Sequence, residues 1–218
     1  MEREGGLLTT RGRRRKSRWI LASASPRRRE ILGRLGLKFE VSPSRIMEPP
    51  RNPHETPARY AVRVARMKAR KAADGRSCGL VLGADTIVVL GNRILGKPSS
   101  RAEARAMLQS LGGRWHEVIS GLCLLDCATR RALTASSCSR VHFRRLSPSE
   151  IDWYVRTGEY RDKAGAYGIQ GCASLFIDRI EGCYFNIVGF PVAAFDRLCR
   201  RMRFNLWSEL ICQTHESP

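Results

Sequence analysis

The chain is poor in acidic residues, in aromatics and in long apolar runs, and each shortage narrows what it can be. Asp and Glu number 20 against 39 Lys and Arg, a formal net charge of +19 that demands an anionic partner of some kind. Aromatics make up 7% of the sequence and form no stacking motif of the RRM type, which argues against a dedicated nucleic-acid-binding module. No uninterrupted apolar run is long enough to cross a bilayer, and the opening Met-Glu-Arg-Glu lacks the apolar segment of a signal peptide. No membrane partner and a cytoplasmic location are therefore expected. The eight cysteines form no CxxC pair and no alternating Cys/His ladder; Cys123 and Cys127 lack a second pair, so zinc is disfavoured and reduced thiols are expected.

What is present reads as an ordinary globular protein, 43% hydrophobic and 27% charged over 218 residues, long enough for one large domain or two small lobes. Residues 1–17 carry the run Arg11-Gly12-Arg13-Arg14-Arg15-Lys16 and are expected to be a disordered basic arm; residues 18–203 form the folded domain and 204–218 a C-terminal tail. Most of the net charge belongs to the body rather than to the arm. Strands are predicted over Trp19-Ile20-Leu21, Phe39-Glu40-Val41, Leu80 to Leu90, Arg93 to Leu95, about His116 to Leu125 and about Ala132 to Phe143, with a late strand and hairpin after the glycine-rich stretch 162–171. Helices are predicted after Ser25-Pro26, after Thr56-Pro57, from a Ser100/Glu103 capping box to Leu111, from Ser147 to Gly158, and from about Pro191 to Met202. Arg59, Arg63, Arg66 and Arg70 fall on the wet side of the second helix. The mixture implies an α/β fold with a mixed twisted sheet and flanking helices, since hairpins exclude a purely parallel sheet.

The sharpest chemical signal is Leu21-Ala22-Ser23-Ala24-Ser25-Pro26-Arg27-Arg28-Arg29. Ser25 is a good N-cap and Pro26 suits the first helical position, so three arginines crowd the positive end of a helix dipole, where acidic residues are normally preferred. Free backbone N–H groups and guanidinium forks at one helix start make a phosphate site; a solvated basic turn is the competing reading. Asp85 interrupts the most apolar strand, and a carboxylate there is either paired or facing a cleft. It is a candidate metal ligand or general base, or else a buried structural residue bonded to backbone N–H groups or to one of the arginines, with Gly83 and Ala84 expected to leave room for a ligand. Lys68 lies on the inward stripe of its helix beside Ala61, Ala65 and Ala72, where a lysine can also simply snorkel. Lys97, in the Gly96-Lys97-Pro98 turn, is either a solvated loop lysine or part of a basic pocket with Arg27 and Arg28. Asp85 and Glu48 can then hold the divalent ion that phosphates bring.

In order and spacing, Leu21-Ala22-Ser23-Ala24-Ser25-Pro26-Arg27-Arg28, Ala65-x-x-Lys68-Ala69, Gly83-Ala84-Asp85-Thr86, Gly96-Lys97-Pro98, the run from Asp162 to Gly171 and Asn186-x-Val188-Gly189-x-Pro191 together resemble the Maf family of nucleoside triphosphate pyrophosphatases. The resemblance covers about residues 19–200. It implies a fold of the Maf and inosine-triphosphate-pyrophosphatase type, two lobes around a cleft, that hydrolyses a nucleotide to its monophosphate and pyrophosphate with Mg²⁺ or Mn²⁺. By the same resemblance Asp85 is the proton acceptor, and the phosphate and metal groups fall on Ser25, Arg27, Arg28, Glu48, Lys68 and Lys97. Base choice falls on Arg27, Thr86 and Gln170, in the pattern of the branch acting on dTTP and UTP rather than on 7-methyl-GTP. The chain departs from the family pattern at Gly112, Ser120, Arg140 and Cys183, where Ser, Thr, an acidic residue and Asp are usual; the last two put cleft-wall polarity in question. Expected partners are the nucleoside triphosphate, a second copy in a homodimer and non-specific nucleic acid at the basic arm. A non-catalytic nucleotide sensor linked to cell division is the rival function, and intact Asp85 and Glu48 argue against it.

Overall fold

The computed structural model describes residues 17–210, so the basic arm, Ser17 apart, and the last eight residues of the expected tail lie outside the described residues. Strands β1 (Trp19–Leu21), β2 (Phe39–Val41), β3 (Leu80–Leu90), β4 (Arg93–Leu95), β5 (Trp115–Asp126), β6 (Ala132–Phe143) and β7 (Ile177–Glu181) form one mixed sheet in the order β2-β1-β3-β5-β6-β7, with β4 also on β3. β1 runs parallel to both β2 and β3, and every other pairing is antiparallel. This is the expected α/β architecture, with the long strands β3 and β5 as its buried centre and β6, half-exposed, beside them.

Helix α2 (Pro57–Ala72) packs alone on one face of the sheet. The opposite face carries two separate cores. Helices α1 (Pro26–Arg34) and α6 (Val192–Arg201) cover Leu82, Ala84, Leu122 and Leu124, while α3 (Arg101–Leu111) and α4 (Pro148–Thr157) cover Val88, Val118 and Val141. Between them runs a seam of polar side chains, so the two halves of the molecule share a sheet but not a core.

Local chemistry sets the helix ends. The Ser25 and Thr56 side chains each accept an amide N–H at the start of α1 and α2, and both helices carry Pro in the first turn. Ser147 and Glu150 make a full capping box on α4. The box expected at α3 is only half made. Ser100 accepts the Glu103 amide, but the Glu103 carboxylate takes the backbone N–H and hydroxyl of Ser99 instead. The expected late hairpin is absent. β7 extends the sheet from β6, and the chain then turns into the short helix α5 (Tyr184–Val188) rather than returning as a strand. The tail assigned from residue 204 also begins inside the domain: Leu206 is buried, and Phe204 meets Trp19 edge-on with ring centroids 5.2 Å apart.

His116 sits in the second core, its Nε2 2.8 Å from the Tyr167 hydroxyl and its ring against Phe143. Burial pushes its pKa down to about 4. Unfolding lets this ring take a proton at an ordinary pKa, so the unfolded chain binds more protons between pH about 4 and 6.5 and stability falls as pH drops through that window. The expected loss is up to ~3 kcal/mol, complete near pH 4. Urea titrations of the wild type and of His116→Gln at neutral and acid pH check this: the variant should lose less stability on acidification, and equal losses would exclude His116 as the source.

Candidate active site

The site lies in a gap along one edge of β3. β1 covers that edge at Leu80 to Leu82 and β4 covers it at Val88 to Leu90, leaving residues 83–87 without a strand neighbour there. Asp85 and Thr86 fall in this gap, and strand alternation points their side chains to opposite faces.

Asp85 points toward α2. Its Oδ1 receives a hydrogen bond from Lys68 Nζ at 2.7 Å, and the same ammonium reaches Glu48 Oε1 at 2.6 Å. The pair is sheltered on the Asp85 side, where the side chain is 7% exposed, and open at Glu48, which is 49% exposed. Asp85 Oδ2 is buried and has no hydrogen-bond partner among the described residues. Asp85 is thus paired to a lysine, not to backbone N–H groups or an arginine as the structural alternative supposed, and one of its oxygens is left over. Glycine makes this contact reachable. A Cβ on Gly83 would stand 2.2 Å from the Ala65 carbonyl oxygen, and one on Gly121 would stand 2.3 Å from the Ala61 carbonyl. The space beside Asp85 at Gly83 is therefore filled by α2 rather than left for a ligand.

Thr86 points to the other face, into the polar seam. Its hydroxyl lies 2.8 Å from Ser120 Oγ, 3.2 Å from the Gly189 carbonyl and 3.1 Å from Arg28 Nη2. Arg28 is the hub of this seam. It is 8% exposed and also donates from Nε to Gly189 O, and from Nη1 to Ser23 Oγ and Ala84 O. Desolvation lowers the Arg28 pKa, and the charge of Asp85 works against that. Asn186 closes the seam by donating to Val118 O and Ser139 Oγ. Ser23, Ser120 and Asn186 were not picked out as site residues. Their signal in the sequence is the serine or amide at an otherwise apolar position.

The remaining candidates ring the gap. Ser25 Oγ accepts the Arg28 amide, and its hydroxyl hydrogen has no acceptor among the described residues. Arg27 and Lys97 make no side-chain hydrogen bond or ion pair among those residues, although Arg27 feels the charge of Asp162. The glycine-rich stretch straps the two halves together. Tyr167 packs in one core and Ile169 against the other, Gly165 N–H bonds to Gly96 O, and Gln170 is exposed beside them. Two departures from the family pattern are explained. Ser120 keeps the hydroxyl that meets Thr86. Arg140 stands clear of the gap, paired with Glu181 at 2.7 Å and lying over Trp115. Cys183 occupies the N-cap of α5 without a side-chain cap, where Asp would accept an amide.

Among the described residues no three His, Cys, Asp or Glu side chains cluster as a complete metal site. Two carboxylates with one buried, unpartnered oxygen do suit Mg²⁺ or Mn²⁺, which are bound by one or two carboxylates while substrate phosphates and waters complete the shell.

A family profile described as Maf-like protein matches residues 18–202. The chain belongs to the Maf family. Similar proteins named dTTP/UTP pyrophosphatase come from Syntrophomonas wolfei, 47% identical over 83% of this chain and 96% of the relative, and from Moorella thermoacetica, 46% identical over 89% and 100%. A third, of the same name, is from Thermococcus gammatolerans, 47% identical over 87% and 98%. No helix among the described residues is long and apolar enough to cross a membrane.

Internal acceptors take four of the five Arg28 N–H groups, and this generates a prediction. Arg28→Lys keeps the charge but offers a single nitrogen, leaving buried carbonyls unpaired at about 1–3 kcal/mol each. The variant should lose several kcal/mol in chemical denaturation and lose turnover with it. Unchanged stability with weakened nucleotide binding would instead mark Arg28 as a direct phosphate ligand.

Proposed function

We propose that this Maf protein hydrolyses dTTP and UTP to the nucleoside monophosphate and pyrophosphate with a divalent cation. The observation that carries the reading is Asp85 Oδ2, a carboxylate oxygen buried without a partner among the described residues in the uncovered edge of β3; Arg27 and Lys97, in the chain's two phosphate motifs, have no ion pair among those residues. The names of the relatives support the substrate class.

In this reading Ser25, Arg27, Lys68 and Lys97 meet the phosphate chain. Arg28 acts through Ala84 and Thr86, holding the β3 edge and the Gly189 loop in register rather than gripping phosphate. Asp85 Oδ2 takes the proton of an attacking water; the new bond forms from that water oxygen to the α-phosphorus, and the bond to the oxygen bridging to the β-phosphate breaks. The pyrophosphate that leaves carries charge toward Lys97 and Arg27, which need no reorganisation to meet it. Glu48 and Asp85 would hold the cation, which when bound neutralises phosphate charge and stabilises the leaving pyrophosphate. Thr86 sets base choice through the seam, and Gln170 reads the base edge at the strap. Its exposed amide both donates and accepts, as pairing with a pyrimidine edge requires.

Two measurements test this. Incubation of dTTP with Mg²⁺ or Mn²⁺ should release dTMP and pyrophosphate, and kcat/KM for dTTP and UTP should exceed that for 7-methyl-GTP and ATP; release of orthophosphate, or a preference for 7-methyl-GTP, overturns it. Asp85→Asn should lower kcat by about two to four orders of magnitude, the range for a lost general base. Because Lys68 keeps Glu48 as a partner, the melting temperature should change little. A large melting shift with normal turnover would make the carboxylate structural.

A further inference from the structure

The arginine stripe of α2 has no part in the catalytic reading. Arg59, Arg63, Arg66 and Arg70 recur at helical spacing along one flank, over about 16 Å at 1.5 Å per residue. That flank faces β6. Arg59, Val62, Arg63 and Arg66 stand across an open groove of about 390 Å³ from Thr134 and Ser136. The groove is walled off from the active site. Asp85 is in register with Gly121, Gly121 with Ser136, and the backbone of α2 lies directly over Gly121 between them.

The charge in the groove is uncompensated. Arg59, Arg66 and Arg70 are exposed and have no ion pair or side-chain hydrogen bond among the described residues. Glu55, just ahead of α2, is already taken by Arg63 at 2.7 Å. At the far end of the stripe Arg130 donates to the Ala73 carbonyl, adding another guanidinium to the same surface. Like charges set in a row repel one another, and a single small anion would satisfy only one or two of them. A polymer with regularly repeated negative charge satisfies all of them at once. Hydroxyls at Thr134 and Ser136 suit phosphate oxygens, and no aromatic lines the groove to stack a base, which favours the backbone of a duplex over an unpaired strand.

We propose that the α2–β6 groove binds the phosphate backbone of double-stranded nucleic acid, without sequence preference, on the side of α2 away from the catalytic gap. The test is fluorescence anisotropy of the full chain with a labelled DNA duplex over a salt series. The charge-reversal variant R59E/R66E/R70E should bind roughly tenfold or more weakly and lower the slope of log K against log salt by about three, near 0.9 per lost contact. Its dTTP hydrolysis should stay within about twofold of wild type. The neutral variant R59Q/R66Q/R70Q should show a smaller loss in the same direction, which separates lost contacts from misfolding. In a parallel variant, R11Q/R13Q/R14Q/R15Q, the residual affinity should remain sensitive to the α2 changes. The proposal is overturned if the α2 variants bind duplex as wild type does, if the arm variant alone removes binding, if polyglutamate displaces the duplex as well as unlabelled DNA does, or if a non-hydrolysable dUTP analogue displaces it.

Discussion

The backbone of α2 rests on the sheet at two points, and the active site depends on that contact. Where Gly83 and Gly121 stand, any side chain would drive into the Ala65 or Ala61 carbonyl. The small residues Ala61, Ala65 and Ala69 are the helix's side of the same fit. With the axis held that close, Lys68 reaches Asp85 within hydrogen-bonding distance, and the ammonium compensates a carboxylate that would otherwise be costly to bury. Larger residues at those glycines would lift α2 and separate the pair. The approach of helix to strand therefore sets both the charge state of the gap and the position of Glu48, which hangs on the outer side of the same ammonium.

The second constraint is the polar seam on the other face. Two apolar cores that share a sheet would close on each other if the strip between them were apolar. Thr86, Ser120, Ser139 and Asn186 keep them apart, and Arg28 ties that strip to the helix start and to the Gly189 turn. Buried polar networks of this kind favour one geometry because alternatives leave further partners unpaired; here Asn186 Oδ1 alone of the seam's side-chain atoms is buried without a partner among the described residues. The same network explains why the chain can use Ser120 in place of the family's usual threonine: the hydroxyl is what the seam requires.

Much of this was legible in the sequence, and the parts that were not share a cause. Trp19, Phe39, Leu80, Arg93 and Ala132 open strands where the apolar pattern puts them, and Ser25, Thr56 and Ser147 cap helices as their side chains dictate. Asp85 and Lys68 stood out because a charge in an apolar stripe demands a partner. What failed depended on tertiary contact. The basic turn at Ser25 reads equally as two phosphate clamps and gives no sign that four of the five Arg28 N–H groups bond internally, one of them to Gly189, over 160 residues away. Gly83 reads as room for a ligand until the opposing helix is in place. The strand after the glycine-rich stretch finds its partner in the distant edge of β6, and the chain after it folds into α5 instead of returning as a hairpin.

Adjacent residues of an extended strand face opposite ways, and Asp85-Thr86 turns that into a division of labour. The carboxylate belongs to the α2 face with Lys68 and Glu48, while the hydroxyl belongs to the seam with Arg28 and Gly189. Only a ligand seated at a bare strand edge can touch the consequences of both, and the edge is bare here because β1 stops at Leu21 and β4 stops at Leu95. Lengthening either strand by a few residues would close the gap with ordinary ladder hydrogen bonds. The fold keeps them short: Ser23 and Ser25 turn the chain into α1 on one side, and Gly96-Lys97-Pro98, whose proline has no N–H for a ladder, follows Leu95 on the other. The chemistry thus rests on a missing stretch of strand pairing, and the residues that end β1 are the same ones that anchor Arg28 and cap the helix carrying Arg27.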